Sequence, residues 1–217
     1  MRQIALFDMD RTLIEGDTAT LYTRYRRDIG EATLGDTLRV AFWLLEYTFG
    51  VIDAQRVAER ALERFRGKEE AWMIETCDRW FVDYVLPVVR KKGREAVERH
   101  RAAGDLVALV TGATPYAARP LARELGIEHV ACTELEVGAD GRFTGSLKLP
   151  MCYGAGKLEL VRRIAERERF ELEHATFYTD SITDLPLLEQ VKTPIVVNPD
   201  TRLRLIARRR GWRVERW

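Results

Sequence analysis

The chain is poor in the features that mark several large protein classes. Its three cysteines, Cys77, Cys132 and Cys152, are an odd number with no metal-like spacing, which argues against a disulfide framework and against a zinc site. Its charges almost cancel: 35 Lys and Arg against 34 Asp and Glu leave +1, so nucleic acid is not an expected partner. The apolar stretch Val40 to Phe49 is too short, and too interrupted by Glu46, to span a bilayer, which takes about 20 apolar residues. Internal repeats and low-complexity tracts are absent too. With no leader-like segment before the first apolar run, a reduced cytoplasm is the expected compartment. At 217 residues and 46% hydrophobic content, the chain can bury one good core plus a small appended domain.

What is present concentrates at the ends of apolar segments. Ile4 to Phe7 delivers two carboxylates, Asp8 and Asp10, and then breaks into Arg11-Thr12, as a buried strand does at its C-terminal edge. Like charges this close are costly unless a cation or a transferred proton offsets them, so the pair reads as a Mg²⁺ and phosphoryl-transfer site. A solvated turn is the plainer alternative. Leu106 to Val110 then runs into Thr111-Gly112-Ala113-Thr114-Pro115 and a helix-like segment stopped by Gly126. A hydroxyl, backbone N–H groups and a helix N-terminus make an anion site there, unless Thr111 merely caps the helix.

Gly154-Ala155-Gly156-Lys157 opens an amphipathic segment and sets a lysine at a helix start, against the dipole unless an anion is near. The spacing is not that of a Walker A loop, and Leu158 stands where its hydroxyl belongs. Finally, Ala175 to Thr179 leads into Asp180-Ser181-Ile182-Thr183-Asp184-Leu185-Pro186, with two acids four apart. Capping is the structural alternative for either acid.

In order, these four segments resemble the motifs of the haloacid dehalogenase superfamily, in its phosphoserine-phosphatase-like branch (subfamily IB). The resemblance covers residues 1–14 and 86–217 and is weak between them. It implies a Mg²⁺-dependent phosphomonoesterase: Asp8 the nucleophile that forms an aspartyl-phosphate, and Asp10 the acid and base. Asp8, the Asp10 carbonyl and Asp180 would hold Mg²⁺, with Asp184 orienting its waters. Thr111, Gly112 and Lys157 would bind the phosphoryl oxygens. The expected substrate is phosphoserine or a similar small phosphomonoester. A lipid phosphate phosphatase stays open as an alternative, and so does a phosphotransferase. A scaffold that lost its chemistry is the non-enzymatic reading, against which every required group is present.

The expected architecture is α/β, a Rossmann-like parallel sheet flanked by helices, with an all-helical cap inserted after the first strand. Strands are expected near residues 3–8, 106–110, 128–132, 175–179 and 194–197, and a hairpin around Asp140-Gly141. The core would be 1–14 and 86–217 and the cap 15–85, with breaks at Gly30, Gly35, Gly50 and Gly67. Asp17 stands nine past Asp8, where the branch places a Glu that meets the substrate ammonium; it equally suits a helix N-cap. Arg11 would narrow the entrance or meet a second anionic group. Arg56, Arg60 and Arg64 read as a solvated helix face. The Val40 to Phe49 stretch reads as a buried cap helix or a homodimer contact, with an apolar substrate tail or membrane-surface contact less favoured. The five arginines between Arg202 and Arg210 read as the wet face of an edge helix whose dry face is Leu203, Ile206 and Ala207.

Overall fold

Strands buried on both faces must carry apolar residues at odd and even positions alike, and the central segments of this chain do so. In the computed structural model, which describes residues 3–33, 35, 58–60 and 62–217, they form one parallel sheet. Its strands are β1 (Ile4–Phe7), β2 (Leu106–Val110), β3 (His129–Ala131), β6 (Ala175–Thr179), β7 (Thr193–Val197) and β8 (Arg213–Glu215), in the order β3-β2-β1-β6-β7-β8. A separate antiparallel hairpin pairs β4 (Leu135–Val137) with β5 (Phe143–Leu147). Ala5 and Phe7 of β1 enter one apolar cluster while Ile4 and Leu6 enter another, and β2 divides in the same way.

Helices cover both faces. Helices α3 (Lys91–Ala102) and α4 (Pro115–Leu125) pack on the Phe7 side. Helices α5 (Ala155–Glu168), α6 (Leu185–Leu188) and α7 (Thr201–Arg210) pack on the Leu6 side through Val161, Ile164, Leu187, Leu188, Leu203 and Ala207. Local signals fix their ends. Pro115 sits in the first turn of α4, and the Asp200 carboxylate caps α7 by accepting from the N–H groups of Arg202 and Leu203.

Because β1 is central, with β2 on one side and β6 on the other, the strand order reverses at β1. A crevice is expected there, at the carboxyl ends of the strands. Helices α1 (Thr18–Asp28) and α2 (Glu70–Trp80) come from the long segment after β1. Tyr25, Phe65, Met73, Trp80 and Val85 from that segment join the same apolar cluster as Phe7 and Leu109, so the core runs on from the sheet into it. One antiparallel bridge, Ile14 to Val89, marks where that segment leaves and returns: Glu15 N–H donates to Val88 C=O at 2.9 Å, and Arg90 N–H to Leu13 C=O at 2.8 Å. The hairpin reaches it as well, through Gly67 N–H to Phe143 C=O at 2.8 Å and Glu70 N–H to Gly141 C=O at 2.9 Å.

The expected α/β class, the five expected strands and the hairpin are all present. The sixth strand, β8, had no signal in the sequence, since Arg213 and Val214 are exposed and the strand has three residues. The five C-terminal arginines are exposed while Leu203 and Ala207 are buried, as a solvated helix face requires. The Val40 to Phe49 stretch, the break at Gly50, and Arg56 lie outside the described residues. Among the described residues, no helix is long and apolar enough to cross a membrane.

Phe177 is fully buried at the centre of the second cluster. Truncating it, Phe177→Ala, is expected to cost about 3–5 kcal/mol of unfolding free energy, whereas Arg209→Ala on the wet face of α7 should stay within about 0.5 kcal/mol. Urea unfolding of both variants checks the pair; a large loss for Arg209→Ala would show that the arginines are not a solvated face.

Candidate active site

Three of the four motif segments leave the sheet at a carboxyl end, the fourth opens a helix, and all of them meet at the same place. Asp8 follows β1, Thr111 follows β2, Asp180 follows β6, and Lys157 lies in the first turn of α5. The Asp8 backbone is pinned: its N–H donates to the Tyr178 carbonyl at 2.9 Å. Tyr178 stacks on Phe7 with ring centroids 4.5 Å apart, and its hydroxyl is hydrogen-bonded to His100, which is in turn hydrogen-bonded to Asp105.

Beyond Asp8 the chain turns sharply. Arg11 adopts a left-handed φ of 58°, and its N–H donates to Gly16 C=O at 2.8 Å. A non-glycine residue held in this region is uncommon, and such strain gathers at functional turns. The turn carries Asp10 back to the start of α1, where Thr18 grips both of its oxygens, N–H to Oδ1 at 2.8 Å and hydroxyl to Oδ2 at 3.0 Å. Asp17 is the N-cap of α1, accepting from Thr20 N–H at 2.8 Å, and its other oxygen lies 3.6 Å from the Arg11 guanidinium.

Lys157 is the electrostatic hinge of the site. The residue is 4% exposed, and its ammonium donates to Asp8 Oδ1 and to Asp184 Oδ2, both at 2.8 Å. Burial alone would lower its pKa, but the carboxylates of Asp184 and Asp8 outweigh that and hold it well above the usual lysine value. Its position depends on the glycines before it. A Cβ on Gly156 would lie 2.1 Å from the Met151 carbonyl oxygen, so any side chain there displaces the start of α5, and Gly154 adopts φ 52°, ψ −125°.

The negative charge is in excess. Asp8, Asp180 and Asp184 are all buried, against one buried ammonium. Burial, offset by Lys157 and reinforced by Asp184, raises Asp8 to about 6. Burial, then the charge of Asp8, raises Asp10 to about 7, against the lowering effect of the Thr18 hydrogen bonds. Asp180 is pushed well above the carboxylate range by burial and by its neighbours Asp8 and Asp184. Asp184 Oδ2 also accepts from the Thr179 hydroxyl at 2.6 Å, while its Oδ1 is buried without a partner among the described residues. Such a cluster suits a site that receives a cation.

The residues expected to carry the chemistry and the specificity lie against one cavity of about 450 Å³: Asp8, Asp10, Arg11, Asp17, Thr111, Gly112, Lys157, Asp180 and Asp184 all line it. Several plainer readings fall away. Thr111 does not cap α4, whose N-cap is Thr114; its buried hydroxyl accepts from Ala113 N–H at 3.1 Å. Asp184 caps nothing with its side chain. Asp17 is the N-cap that its sequence suits, and lines the cavity too. Arg60 and Arg64 are both exposed, as expected of a solvated face; Arg64 also lines the cavity, with its guanidinium over the Phe65 ring at 5.1 Å from the centroid. Sequence reasoning missed Thr18, Thr179 and Asp200. Asp200 gives one oxygen to α7 and the other to Ile182 N–H at 3.0 Å, tying the Asp180 loop to the next strand's exit. Only Thr18 carried a signal, as the first helical residue after a cap, with an N–H that needs an acceptor.

The profile of the haloacid dehalogenase-like hydrolase family matches residues 5–189. A phosphoserine phosphatase of Mycobacterium tuberculosis is 34% identical over 215 residues, 97% of this chain and 69% of that protein. A histidinol-phosphatase of Neisseria meningitidis is 29% identical over 219 residues, 99% of this chain and 98% of that one. A solved Bordetella pertussis protein of unknown function superposes with a TM-score of 0.89 at 32% identity, over 99% of this chain and 98% of its own. A substrate-bound phosphoserine phosphatase shares the fold with a TM-score of 0.72 at 18% identity, over 94% and 90%. With the family match running across most of the chain and all four motif segments meeting at one cavity, the chain belongs to the haloacid dehalogenase-like hydrolases, on their phosphoserine-phosphatase-like branch, as a phosphatase.

Proposed function

We propose that the protein hydrolyses a small phosphomonoester through an aspartyl-phosphate on Asp8, with Mg²⁺ as cofactor. The observation that carries this reading is the unlike treatment of the two carboxylates after β1. Asp8 is bonded to a permanent cation, and Asp10 only to the neutral donors of Thr18. Asp8 is thereby favoured as the ionised nucleophile. Asp10, at about 7, retains a proton near neutrality.

An Asp8 oxygen bonds to phosphorus as the ester P–O bond breaks, and the Asp10 proton passes to the leaving alkoxide. Asp10, now a carboxylate, takes a proton from the water that attacks the aspartyl-phosphate, which releases phosphate and restores Asp8. Thr111, Gly112 and Lys157 hold the phosphoryl oxygens. Lys157 is kept charged and in place by Asp184, itself anchored by Thr179.

Asp8 and Asp180, with the Asp10 carbonyl, would hold Mg²⁺, and Asp184 would order its waters. Among the described residues no three acidic, histidine or cysteine side chains form a self-sufficient metal cage. Two carboxylates and a carbonyl suit a cation that keeps several waters. When bound, Mg²⁺ supplies the positive charge without which a phosphate dianion would meet a net negative cavity.

Residues 15–85 act as the cap over the core, and Arg11 and Asp17 select the substrate. Phosphoserine and histidinol phosphate, the substrates in the relatives' names, are both small amine-bearing esters, and Asp17 faces the cavity as a partner for such an amine. The three free cysteines accord with a reducing cytoplasm.

Four outcomes are expected. Asp8→Asn abolishes steady-state phosphate release and Asp10→Asn lowers kcat by about 10²–10⁴-fold; sustained turnover by a clean Asp8→Asn sample would remove the nucleophile assignment. Chelation stops turnover, while Mg²⁺ at about 100 times its Kd stabilises the fold by about 2.7 kcal/mol, roughly 5–10 °C in Tm for a chain of this size. Asp180→Asn, by relieving buried repulsion, raises the metal-free Tm and erases that Mg²⁺ response; thermal unfolding with and without Mg²⁺ reads both. Gly156→Ala, which shifts Lys157, lowers kcat/KM by about 10²-fold, measured by initial rates on protein whose circular dichroism is unchanged.

A further inference from the structure

Asp200 does more than an N-cap requires. It lies where β7 runs out into α7, and it lines the cavity together with Asp180, Ser181 and Ile182. Capping α7 uses a single oxygen: Oδ1 accepts from Arg202 N–H at 2.7 Å and from Leu203 N–H at 2.8 Å. A serine, with one side-chain oxygen, would cap the helix as well. The second oxygen, Oδ2, accepts instead from Ile182 N–H at 3.0 Å, while the Asp200 N–H donates to Asp180 C=O at 3.1 Å. One residue therefore grips the neighbouring loop on both sides of Ser181.

The far end of that loop is secured from other directions. Thr179 donates its hydroxyl to Asp184 Oδ2 at 2.6 Å and accepts from Ser181 N–H at 3.2 Å, and Lys157 donates to the same Asp184 oxygen at 2.8 Å. Asp180, at the near end, shares the buried site with the carboxylates of Asp8 and Asp184, and like charges push it away until a cation stands between them. Asp200 opposes that displacement through the backbone. Its two oxygens already accept three N–H groups, so its part is to position and not to ligate.

Resting on the Mg²⁺-dependent reading above, we propose that Asp200 is a positioning residue for the cation: by clasping Asp180 and Ile182 it aims the Asp180 carboxylate into the cavity and sets the affinity for Mg²⁺. A group that holds a metal ligand from outside commonly governs metal affinity by about 10–100-fold. The cap alone accounts for Oδ1; the clasp accounts for Oδ2 and for the Asp200 N–H.

The test titrates Mg²⁺ onto the full chain by calorimetry without substrate and reads the metal-free Tm beside it. Asp200→Ser keeps a capping oxygen for α7 and gives up the one that meets Ile182. Its Mg²⁺ Kd is expected to rise by at least about tenfold, while its metal-free Tm stays within about 4 °C of the unmodified protein. Ile182→Pro removes the other half of the same bond, at the first position of a turn whose preceding residue, Ser181, is extended at φ −106°, ψ 136° and so accepts a proline after it. The double variant is expected to bind Mg²⁺ within about twofold of the weaker single variant, since both changes remove one contact. A Kd for Asp200→Ser within about twofold of the unmodified protein overturns the proposal and reduces Asp200 to a helix cap, as do losses that multiply in the double variant. Absence of Mg²⁺ binding by the unmodified protein overturns it too. Binding that weakens as expected, with no phosphate released from phosphoserine, histidinol phosphate or phenyl phosphate, removes the phosphatase reading and leaves the clasp standing. Phosphate release with a Kd unmoved by Asp200→Ser does the reverse.

Discussion

One buried ammonium held between two carboxylates organises this protein. Lys157 reaches Asp8 and Asp184 at 2.8 Å each, and each of the three charges sits on a different segment of the chain. Ions lose much of their hydration on entering a protein interior, and pairing recovers it only if the geometry is good. The parallel sheet supplies that geometry. Neighbouring strands deliver Asp8 and the Asp180–Asp184 loop from β1 and β6, and the close passage of Gly156 beside the Met151 carbonyl sets where α5 begins. Removing the ammonium would leave buried carboxylates facing one another, and so the chemistry and the fold at the strand ends rest on the same contact.

The surrounding structure divides its work. Below the site, Phe7 and Tyr178 stack, and the Tyr178 carbonyl holds the Asp8 N–H, so Asp8 stands on a buried part of the sheet. Above it, α1 and α2 contribute aromatic side chains to the same apolar cluster that covers the sheet. Under the proposed reading, specificity lies in the side chains of the inserted segment and reaction geometry in the strand ends, so that either can vary without the other.

The sheet and the four motif segments were legible because each follows an uninterrupted apolar run, and buried parallel strands have no other way to be written. The hairpin was legible from Asp140-Gly141. What stayed hidden was tertiary. Thr18 and Asp10 are eight residues apart and meet only because Arg11 takes a left-handed turn. Asp200 joins the Asp180 loop from beyond the following strand. β8 is three residues with an exposed face, given order by its neighbour β7 rather than by its own pattern.

Two aspartates two residues apart would ordinarily titrate alike, and a reaction that needs one ionised and one protonated has to separate them. Here the separation comes from what the backbone turn does to their surroundings. The strand direction sends Asp8 inward to a cation, and the turn sends Asp10 outward to a helix N-terminus, where a hydroxyl and an N–H bind without carrying a full charge. The ionised state of Asp8 then raises Asp10 further, because a second charge beside the first is disfavoured. Difference in environment creates the asymmetry and repulsion enlarges it, so under the proposed mechanism the two roles could not be exchanged.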